Sequence, residues 1–434
     1  MKHSFSHLNW QAEGKVCDVI GTIVEASLPY GRLSNVTEIE VKGAKKNILA
    51  EIVGFRNERT LLLPYTDLAG ITPGAVIRGQ RKADKIPVGN FLLGKVLDPF
   101  LNPLGEGGMQ IPKSCEFMSI ERAAPNPMSR ALISRQLPLG IRALDGLLTF
   151  GEGQRLGIMA GSGVGKSVLL GMIARGSASD INVIALIGER GREVREFLER
   201  DLGPEGYKRS IIIVATSDQS PLMRIRGAKV AMAVAEHFSL KGKKVLLMMD
   251  SLSRLAYAQR EIGLAIGEPP TTKGYPPSVF SLLPKLLERC GPQPQGQGSI
   301  SGLFTVLVDG DDFTDPIPDA ARAILDGHIH LSRSLAAKGH FPAIDISASV
   351  SRVMNDIVTQ KHLELANRIK ALISTFQENY DFIQLGAYQK GTNPNLDEAI
   401  RLIPSIENFL KQGINDRSPM EVTMTRLIKI VTSP

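Results

Sequence analysis

The chain has 434 residues, 43% hydrophobic and 22% charged, which is typical of a folded soluble protein and excludes collagen-like, coiled-coil and disordered chains. A single hydrophobic core stops growing near about 250–300 residues, so this length predicts two or three domains. The 51 Lys and Arg residues against 44 Asp and Glu give a net charge of +7, which permits an anionic partner without requiring one.

Targeting signals and cysteine frameworks are not evident. No apolar run approaches the roughly 18–20 residues needed to span a membrane, and the first ten residues, MKHSFSHLNW, lack the apolar stretch of a signal peptide. We therefore expect a cytoplasmic protein. Its three cysteines are far apart, which argues against disulfides and against a paired-cysteine metal site.

Three regions differ in their hydrophobic pattern. Residues 15–65 contain short β-rich runs broken by Gly, Pro and Asn, which indicates a small barrel or sandwich. From Arg155, continuous apolar runs such as NVIALIG and KVLLMMD alternate with helical stretches, which is typical of a parallel α/β sheet. After Asn355 only helical periodicity remains. We predict an N-terminal β-barrel domain (1–84), a central α/β domain with a mostly parallel sheet (85–356) and a C-terminal helical domain (357–434).

The strongest motif is the glycine-rich segment AGSGVGKS at Ala160–Ser167. It fits the phosphate-binding loop of P-loop proteins in a relaxed form, since the strict pattern begins with Gly. An apolar strand precedes it and an apolar helix follows, as the motif requires. Its glycines let backbone N–H groups face phosphate oxygens, while Lys166 can reach the β- and γ-phosphates and the Ser167 hydroxyl can bind Mg²⁺. The residues expected to hold the nucleotide are Ala160, Gly161, Ser162, Gly163, Val164, Gly165, Lys166, Ser167 and Val168.

Two acids follow other buried strands. KVLLMMD ends in Asp250, where a P-loop enzyme carries its Mg²⁺-associated acid; the alternative is a cap for the next helix. NVIALIG leads directly into Glu189 and Arg190, so a carboxylate lies at the edge where such sheets bind ligands. Glu189 is thus a candidate catalytic base, and the alternative is the first acid of the charged helix REVREFLER.

These segments, in this order, resemble the rotary ATP synthase catalytic subunits and their relatives over nearly the whole chain. PAIDISASVS (Pro342–Ser351) is similar to the signature of that superfamily. GEPPTTKGYPPSVFSLLPKLLER (Gly267–Arg289) and LGAYQKGTNPNLDEAI (Leu385–Ile400) resemble the type III protein-export ATPases. Among those ATPases, the sequence GAY…GTNP is more similar to the flagellar branch than to the virulence injectisome branch.

The resemblance implies a RecA-like core and Mg²⁺-dependent ATP hydrolysis that energises protein export. It gives the loop and Asp250 the roles stated above, Glu189 the activation of the attacking water and Arg190 a place at the phosphates. It makes Arg352 the arginine finger supplied to the γ-phosphate of an adjacent subunit; from the residues alone, Arg352 reads as a surface ion pair. Because the chain carries both Glu189 and Arg352, each copy is expected to complete its neighbour's site in a homohexameric ring.

The sequence also departs from the family. Ala160 replaces the first loop glycine, and Leu363 falls where relatives often carry a tyrosine against the adenine, which leaves Phe376 as the candidate for base stacking. Only about 14 residues precede the barrel, so the contact that flagellar relatives make with a stator-like regulator through a longer segment is expected to be reduced or altered.

By resemblance, the expected partners are a stalk-like protein in the ring pore, the stator-like regulator, a membrane export gate and chaperone–substrate complexes at the C-terminal helices, with peripheral association at the cytoplasmic face of the inner membrane. The alternative is a Rho-like nucleic-acid translocase, which the basic charge would suit. No aromatic-rich platform for RNA is evident, so nucleic acid is not expected as a partner. His328 and His330 share one strand face but lack a third ligand for a metal. Asp309, Asp311 and Asp312 are expected to position Mg²⁺, water or an arginine.

Overall fold

A computed structural model describes residues 13–44, 46–81, 84–105, 108–294, 297–308 and 315–432. A β-barrel leads into a mostly parallel sheet flanked by helices, and helices complete the chain. This arrangement confirms the predicted fold class. The acidic cluster Asp309, Asp311 and Asp312 lies outside the described residues.

The first six strands close into a barrel in the order β1-β2-β5-β4-β3-β6. Alternate residues of these strands point inward, and Val24, Ile39 and Leu62 are completely buried at its centre. The barrel strands are β1 (Gly14–Ile20), β2 (Ile23–Ser27), β3 (Val36–Ile39), β4 (Ile48–Arg56), β5 (Arg59–Pro64) and β6 (Val76–Arg81).

Within the described residues the central sheet has nine strands, and its main path runs β17-β16-β10-β15-β13-β11-β12-β8. All neighbours on this path are parallel except β17, which is antiparallel to β16. The strands are β8 (Lys95–Leu97), β10 (Arg155–Ala160), β11 (Ile181–Ile187), β12 (Ser210–Ala215), β13 (Lys244–Asp250), β14 (Gly291–Pro292), β15 (Ser299–Leu307), β16 (Gly327–Leu331) and β17 (Ile344–Ser351); β7 (Lys85–Val88) and β9 (Glu116–Ser119) form a separate pair.

Helices cover both faces of the sheet and make up the C-terminal region. The helices are α1 (Arg142–Leu147), α2 (Lys166–Gly176), α3 (Gly191–Glu196), α4 (Gly203–Lys208), α5 (Pro221–Leu240), α6 (Leu252–Ala265), α7 (Pro277–Leu287), α8 (Pro316–Ile324), α9 (Arg333–Ala337), α10 (Met354–Ile357), α11 (Gln360–Glu378), α12 (Tyr380–Gln384), α13 (Pro394–Leu410) and α14 (Met420–Thr432).

The strand order determines where functional side chains meet. Strands β10, β11 and β13 run parallel, so their carboxyl ends lie at one edge of the sheet. Ala160, Ile187 and Asp250 end these strands, and the residues that follow them are therefore close in space. The antiparallel β17 ends at the opposite edge, where Ser351 pairs with Gly327, the first residue of β16.

A buried ion pair connects α5 to the segments that follow α7 and β9. The Arg289 Nε and Nη2 donate to the Glu236 carboxylate at 2.8 and 2.9 Å, and its Nη1 donates to the Ile120 carbonyl at 2.8 Å. Arg289 is 3% exposed and Glu236 is 5% exposed. Removing one partner of such a pair leaves an uncompensated buried charge.

We therefore expect Glu236→Ala to lower the free energy of unfolding by about 3–5 kcal/mol. The matched control is Glu199→Ala, which removes an exposed carboxylate 2.7 Å from Arg195 and should cost about 1 kcal/mol or less. Urea unfolding followed by circular dichroism measures both variants. Equal midpoints for the two variants would contradict the role of the buried pair.

Candidate functional site

The phosphate-binding loop connects β10 to α2, as the motif predicts. Gly163 and Gly165 have φ values of 79° and 88°, a conformation that side chains disfavour. Ala160 is the last residue of β10, fully buried in extended conformation, so the first position of the motif does not need the freedom of glycine here. Helix α2 begins at Lys166, and its first N–H groups and positive end face the loop.

A cavity of about 650 Å³ opens above this loop. Its floor comprises residues 161–168 except Val164, whose side chain is buried beneath. The remaining lining residues are Gly188, Glu189, Arg190, Arg192, Glu193, Glu196, Arg200, Ser217, Arg254 and Leu307. Glu189 and Arg190 thus line the same cavity as the loop. The sequence next to these two residues does not by itself predict this position.

Lys166 connects the loop to two acids: Asp250, which ends β13, and Glu189, which follows β11. Its Nζ lies 2.6 Å from Asp250 Oδ1 and 3.3 Å from Glu189 Oε1. The Asp250 Oδ1 also accepts a hydrogen bond of 2.6 Å from the Thr305 hydroxyl, which fixes the carboxylate. The three charged side chains are at most 13% exposed. Lys166, Asp250 and Glu189 therefore form one electrostatic cluster at the carboxyl edge.

The cluster shifts the pKa values of Glu189 and Lys166. Burial, reinforced by the neighbouring charge of Asp250, raises the pKa of Glu189 to about 7, although Lys166 opposes the shift. Burial lowers the pKa of Lys166, but Asp250 and Glu189 outweigh this effect, so the pKa is raised overall and the amine stays charged. A carboxylate with a pKa near neutrality is suited to accept a proton from water.

The sequence predicts ATP hydrolysis with Glu189 as the base, and the pH dependence of that reaction tests this prediction. Because a protonated carboxyl cannot take a proton, we expect kcat/KM to fall about tenfold per pH unit below pH 7 and to level off above it. The measurement is kcat/KM for ATP at constant excess Mg²⁺ across this range. Glu199→Gln, which changes an exposed acid beyond the end of α3, should give the wild-type profile, and a profile without a bend near pH 7 would contradict the assignment.

The residues present fit a magnesium ion. Asp250 and Ser167 provide the oxygen donors that Mg²⁺ prefers: Ser167 lines the cavity where loop-bound phosphates would supply the remaining ligands, and Asp250 lies 2.6 Å from the Nζ of the adjacent Lys166. The histidine pair His328 and His330 has no such support. Among the described residues, no group of three His, Cys, Asp or Glu side chains is arranged to hold a metal.

Arg254 belongs to the cavity but was missed in the sequence. It lies in the first turn of α6, four residues after Asp250, and lines the same cavity as the loop. Its side chain packs on Gly188, where a Cβ would lie 2.7 Å from the Arg254 Cβ, so only glycine admits this contact. The sequence feature that points to Arg254 is an arginine four residues after the acid that ends β13.

The ring beside the loop is Phe341 rather than Phe376. A Cβ at Gly165 would lie 3.6 Å from two ring carbons of Phe341, whose side chain is 45% exposed. The backbone N–H of Gln412 donates to the Phe341 carbonyl at 2.9 Å and holds this segment against the C-terminal region. Phe376 instead lines a separate cavity of about 500 Å³ with Ile344, Ile373 and other apolar residues of α11 and α13. The structure does not bring Phe376 to the phosphate loop.

Arg352 lies away from its own loop. It follows β17 at the amino edge of the parallel strands, while the loop follows β10 at the carboxyl edge, roughly 15 Å farther along the strands. Its guanidinium donates to the carbonyls of Leu325 and Arg322 at 3.2 Å and is exposed to solvent. Within one chain, Arg352 cannot reach a nucleotide at the loop.

Sequence comparisons identify the family. The profile of the ATP synthase alpha/beta family, nucleotide-binding domain, matches residues 140–351, and its beta-barrel domain matches residues 16–79. The C-terminal domain profile of the T3SS EscN ATPase matches residues 358–429. The flagellum-specific ATP synthase of Bacillus subtilis is 50% identical over 423 residues, covering 97% of this chain and 96% of the relative. The chain belongs to the ATP synthase alpha/beta family.

Within that family it is an export-type ATPase. The flagellum-specific ATP synthase of Salmonella typhimurium is 48% identical to it, covering 95% of this chain and 92% of the relative. The type 3 secretion system ATPase of Xanthomonas euvesicatoria is 46% identical, covering 96% and 93%. The predicted resemblance and the prediction of an ATP hydrolase are thereby confirmed.

A solved structure supports the same conclusion for the export ATPase fold. The assembled ATPase EscN from the type III secretion system of enteropathogenic E. coli superposes with a TM-score of 0.90 at 45% identity, covering 96% of this chain and 100% of that chain. EscN in complex with its central stalk EscO superposes with a TM-score of 0.88. Among the described residues of this chain, no helix combines the length and apolar character that crossing a membrane requires.

Proposed function

We propose that this export ATPase hydrolyses MgATP at the interfaces between copies of the chain in a homohexameric ring. The observation that carries the proposal is the separation of Arg352 from the loop of its own chain, at opposite edges of the sheet. An arginine that stabilises transition-state charge must come within contact of the γ-phosphate. A second copy that presents its amino edge to the cavity would meet this requirement, and repetition of one such contact closes a ring.

The residues of the cavity have distinct roles in this proposal. Lys166 turns from Asp250 and Glu189 to the β- and γ-phosphates when nucleotide binds. Glu189 accepts a proton from the attacking water, and the cationic side chains of Arg190 and Arg254 face the phosphates from the other walls. Asp250 and the Ser167 hydroxyl would hold Mg²⁺, which would supply charge neutralisation at the phosphates. Ala160 and Val164 anchor the loop, and Val168 borders the nucleotide.

Phe341 is proposed to stack on the adenine. Its ring borders the loop at Gly165 and retains an exposed face, whereas Phe376 packs in a different cavity. Stacking of a base on an aromatic ring contributes about 1–3 kcal/mol.

We expect Phe341→Ala to weaken ATP binding by about 5- to 150-fold, which corresponds to that stacking energy. Phe376→Ala is the matched control, and it should leave the dissociation constant unchanged. Fluorescence titration with a nucleotide analogue labelled on the ribose measures both. Weaker binding in Phe376→Ala and unaltered binding in Phe341→Ala would reverse the assignment.

In the cell, we propose that ATP turnover energises protein export through a flagellar-type apparatus at the cytoplasmic face of the inner membrane. The amino-acid sequence of the segment Leu385–Ile400 and the flagellar relatives at 48–50% identity support this branch. A central stalk is proposed as a partner because EscN binds its stalk EscO. The stator-like regulator, the export gate and chaperone–substrate complexes are proposed from family membership, with peripheral membrane association.

The experiment that tests the proposal is ATP hydrolysis by the purified chain as a function of protein concentration, with and without single-stranded RNA. Shared sites predict a specific activity that rises with concentration and does not respond to RNA. Activity that depends on RNA and disappears at high salt would favour a Rho-like translocase. Specific activity that is independent of concentration would leave an ATPase without shared sites.

A further inference from the structure

A completely buried amide lies at the amino edge of the sheet, close to Arg352. Gln154 immediately precedes β10 and is 0% exposed. Its Oε1 accepts a hydrogen bond of 2.8 Å from the Gly151 N–H. Its Nε2 donates to the Asp326 carbonyl at 3.0 Å and to the Ser351 hydroxyl at 3.2 Å. One side chain thus connects the start of β10 to the start of β16 and the end of β17.

These contacts surround the backbone of Arg352 on both sides. The Asp326 carbonyl, which accepts from Gln154, also accepts the Arg352 N–H at 3.0 Å. Ser351, the residue before Arg352, donates its hydroxyl to the Thr149 carbonyl at 2.8 Å. The guanidinium itself bonds to the Leu325 carbonyl, one residue before Asp326. The position of the Arg352 side chain therefore depends on the Asp326 carbonyl and the Ser351 hydroxyl, to which Gln154 donates.

Asp326 is fixed independently from the other side. Its carboxylate accepts hydrogen bonds of 3.0–3.1 Å from the backbone N–H, Nε and Nη2 of Arg155. With Arg155 holding the carboxylate and Gln154 holding the carbonyl, residues 154–155 determine where the segment before β16 lies. A leucine side chain could fill the space of Gln154 without forming hydrogen bonds. Because burying an amide costs free energy unless it is hydrogen-bonded, Gln154 is explained by the contacts it makes and not by packing.

We propose that Gln154 is a positioning residue for Arg352, which it holds in the geometry that an adjacent copy's active site requires. This inference rests on the proposed function, since it assumes that Arg352 acts on a neighbouring copy. A displacement of about 1 Å in a group that contacts the transition state lowers the rate by up to about 10²-fold. Gln154 therefore influences turnover at a site in another subunit, while its own subunit's loop is unaffected.

The test uses mixed rings, because they separate the arginine that a subunit presents from the loop that it carries. We expect Gln154→Leu alone to lower kcat about 10- to 100-fold with unchanged nucleotide binding. Mixing it with Lys166→Ala chains should restore activity, because the Lys166→Ala chain presents an intact Arg352 to the intact loop of the variant. Mixing it with Arg352→Ala chains should restore nothing, because neither chain presents a well-placed arginine.

A matched control is Asn182→Leu, which removes another fully buried amide. Asn182 lies on β11, and its Nδ2 donates to the Ala174 carbonyl at 2.9 Å. It should show no difference between the two mixtures. If Gln154→Leu loses nucleotide binding and so fails to fold, Ser351→Ala makes the same test, since it removes the hydroxyl that Gln154 and Thr149 share. The expected pattern is the same, with a smaller loss.

The opposite pattern, restoration by Arg352→Ala chains and not by Lys166→Ala chains, would place the defect in the variant's own loop and overturn the inference. Equal behaviour in both mixtures would also overturn it. Full activity of Arg352→Ala rings would instead refute the proposed function itself, so the two failures are distinguishable.

Discussion

Glu189→Gln is expected to lower kcat for ATP hydrolysis about 10²–10⁴-fold while the affinity for ATP stays within a few-fold of the wild type. The amide keeps the size of the side chain but cannot accept a proton from water. Lys166 still pairs with Asp250 at 2.6 Å, so the loop and its lysine remain in place. Single-turnover hydrolysis and nucleotide titration measure the two quantities on the same preparation.

Glu196→Gln serves as the control for Glu189, since it changes another acid on the wall of the same cavity that pairs with Arg192 at 3.4 Å. Its turnover should match the wild type. If Glu189→Gln retained most of its turnover, another group would have to activate the water. If it lost turnover but still supported export in cells, the chain would act as a nucleotide-binding assembly protein rather than as a motor.

Arg352→Ala should lower kcat about 10³–10⁵-fold, the range that arginine fingers contribute in related phosphoryl transfer. The affinity of the dilute, unassembled chain for ATP should not change, because Arg352 lies at the opposite edge of the sheet from its own loop. The measurement is steady-state hydrolysis at concentrations where the wild-type specific activity has reached its plateau, together with nucleotide titration of the dilute chain.

Complementation provides the control for Arg352. Lys166→Ala chains are inactive alone, yet they present an intact arginine, so mixing them with Arg352→Ala chains should recover activity at one class of interface. Recovery in the mixture excludes misfolding as the cause of the loss. Arg352→Ala rings that turn over at the wild-type rate, or mixtures that stay inactive while both variants assemble, would contradict a finger that acts between copies.

Much of the fold and half of the site follow from local sequence. Strands buried on both faces appear as continuous apolar runs, so the ends of β10, β11 and β13 could be located to within one residue, and with them the loop, Glu189 and Asp250. Parallel strands place their carboxyl ends together, which is why three separate segments could be predicted to share one site. The pairing of Lys166 with both acids then follows from the strand order.

The remaining residues depend on tertiary packing that no local pattern encodes. Phe341 reaches the loop because β17 and β16 extend the sheet beyond β10, an order that cannot be deduced from the periodicity of either strand. Phe376 lies on α11, whose apolar face packs between β17 and α13. Its side chain therefore lines a different cavity, although its place in the sequence made it the candidate for base stacking. Gln154 is one amide next to a strand, and only its three bonds reveal its position beside Arg352.

The closed barrel also affects how copies of the chain meet. Its six strands pair in a circle, so in the part of the chain that the structure describes the barrel has no free strand edge. In the proposed ring, contacts that the barrels make with neighbouring copies therefore use side chains and loops and do not extend a sheet from one barrel to the next. Such contacts separate without unfolding either barrel, so the barrels avoid the irreversible edge-to-edge aggregation to which open sheets are prone.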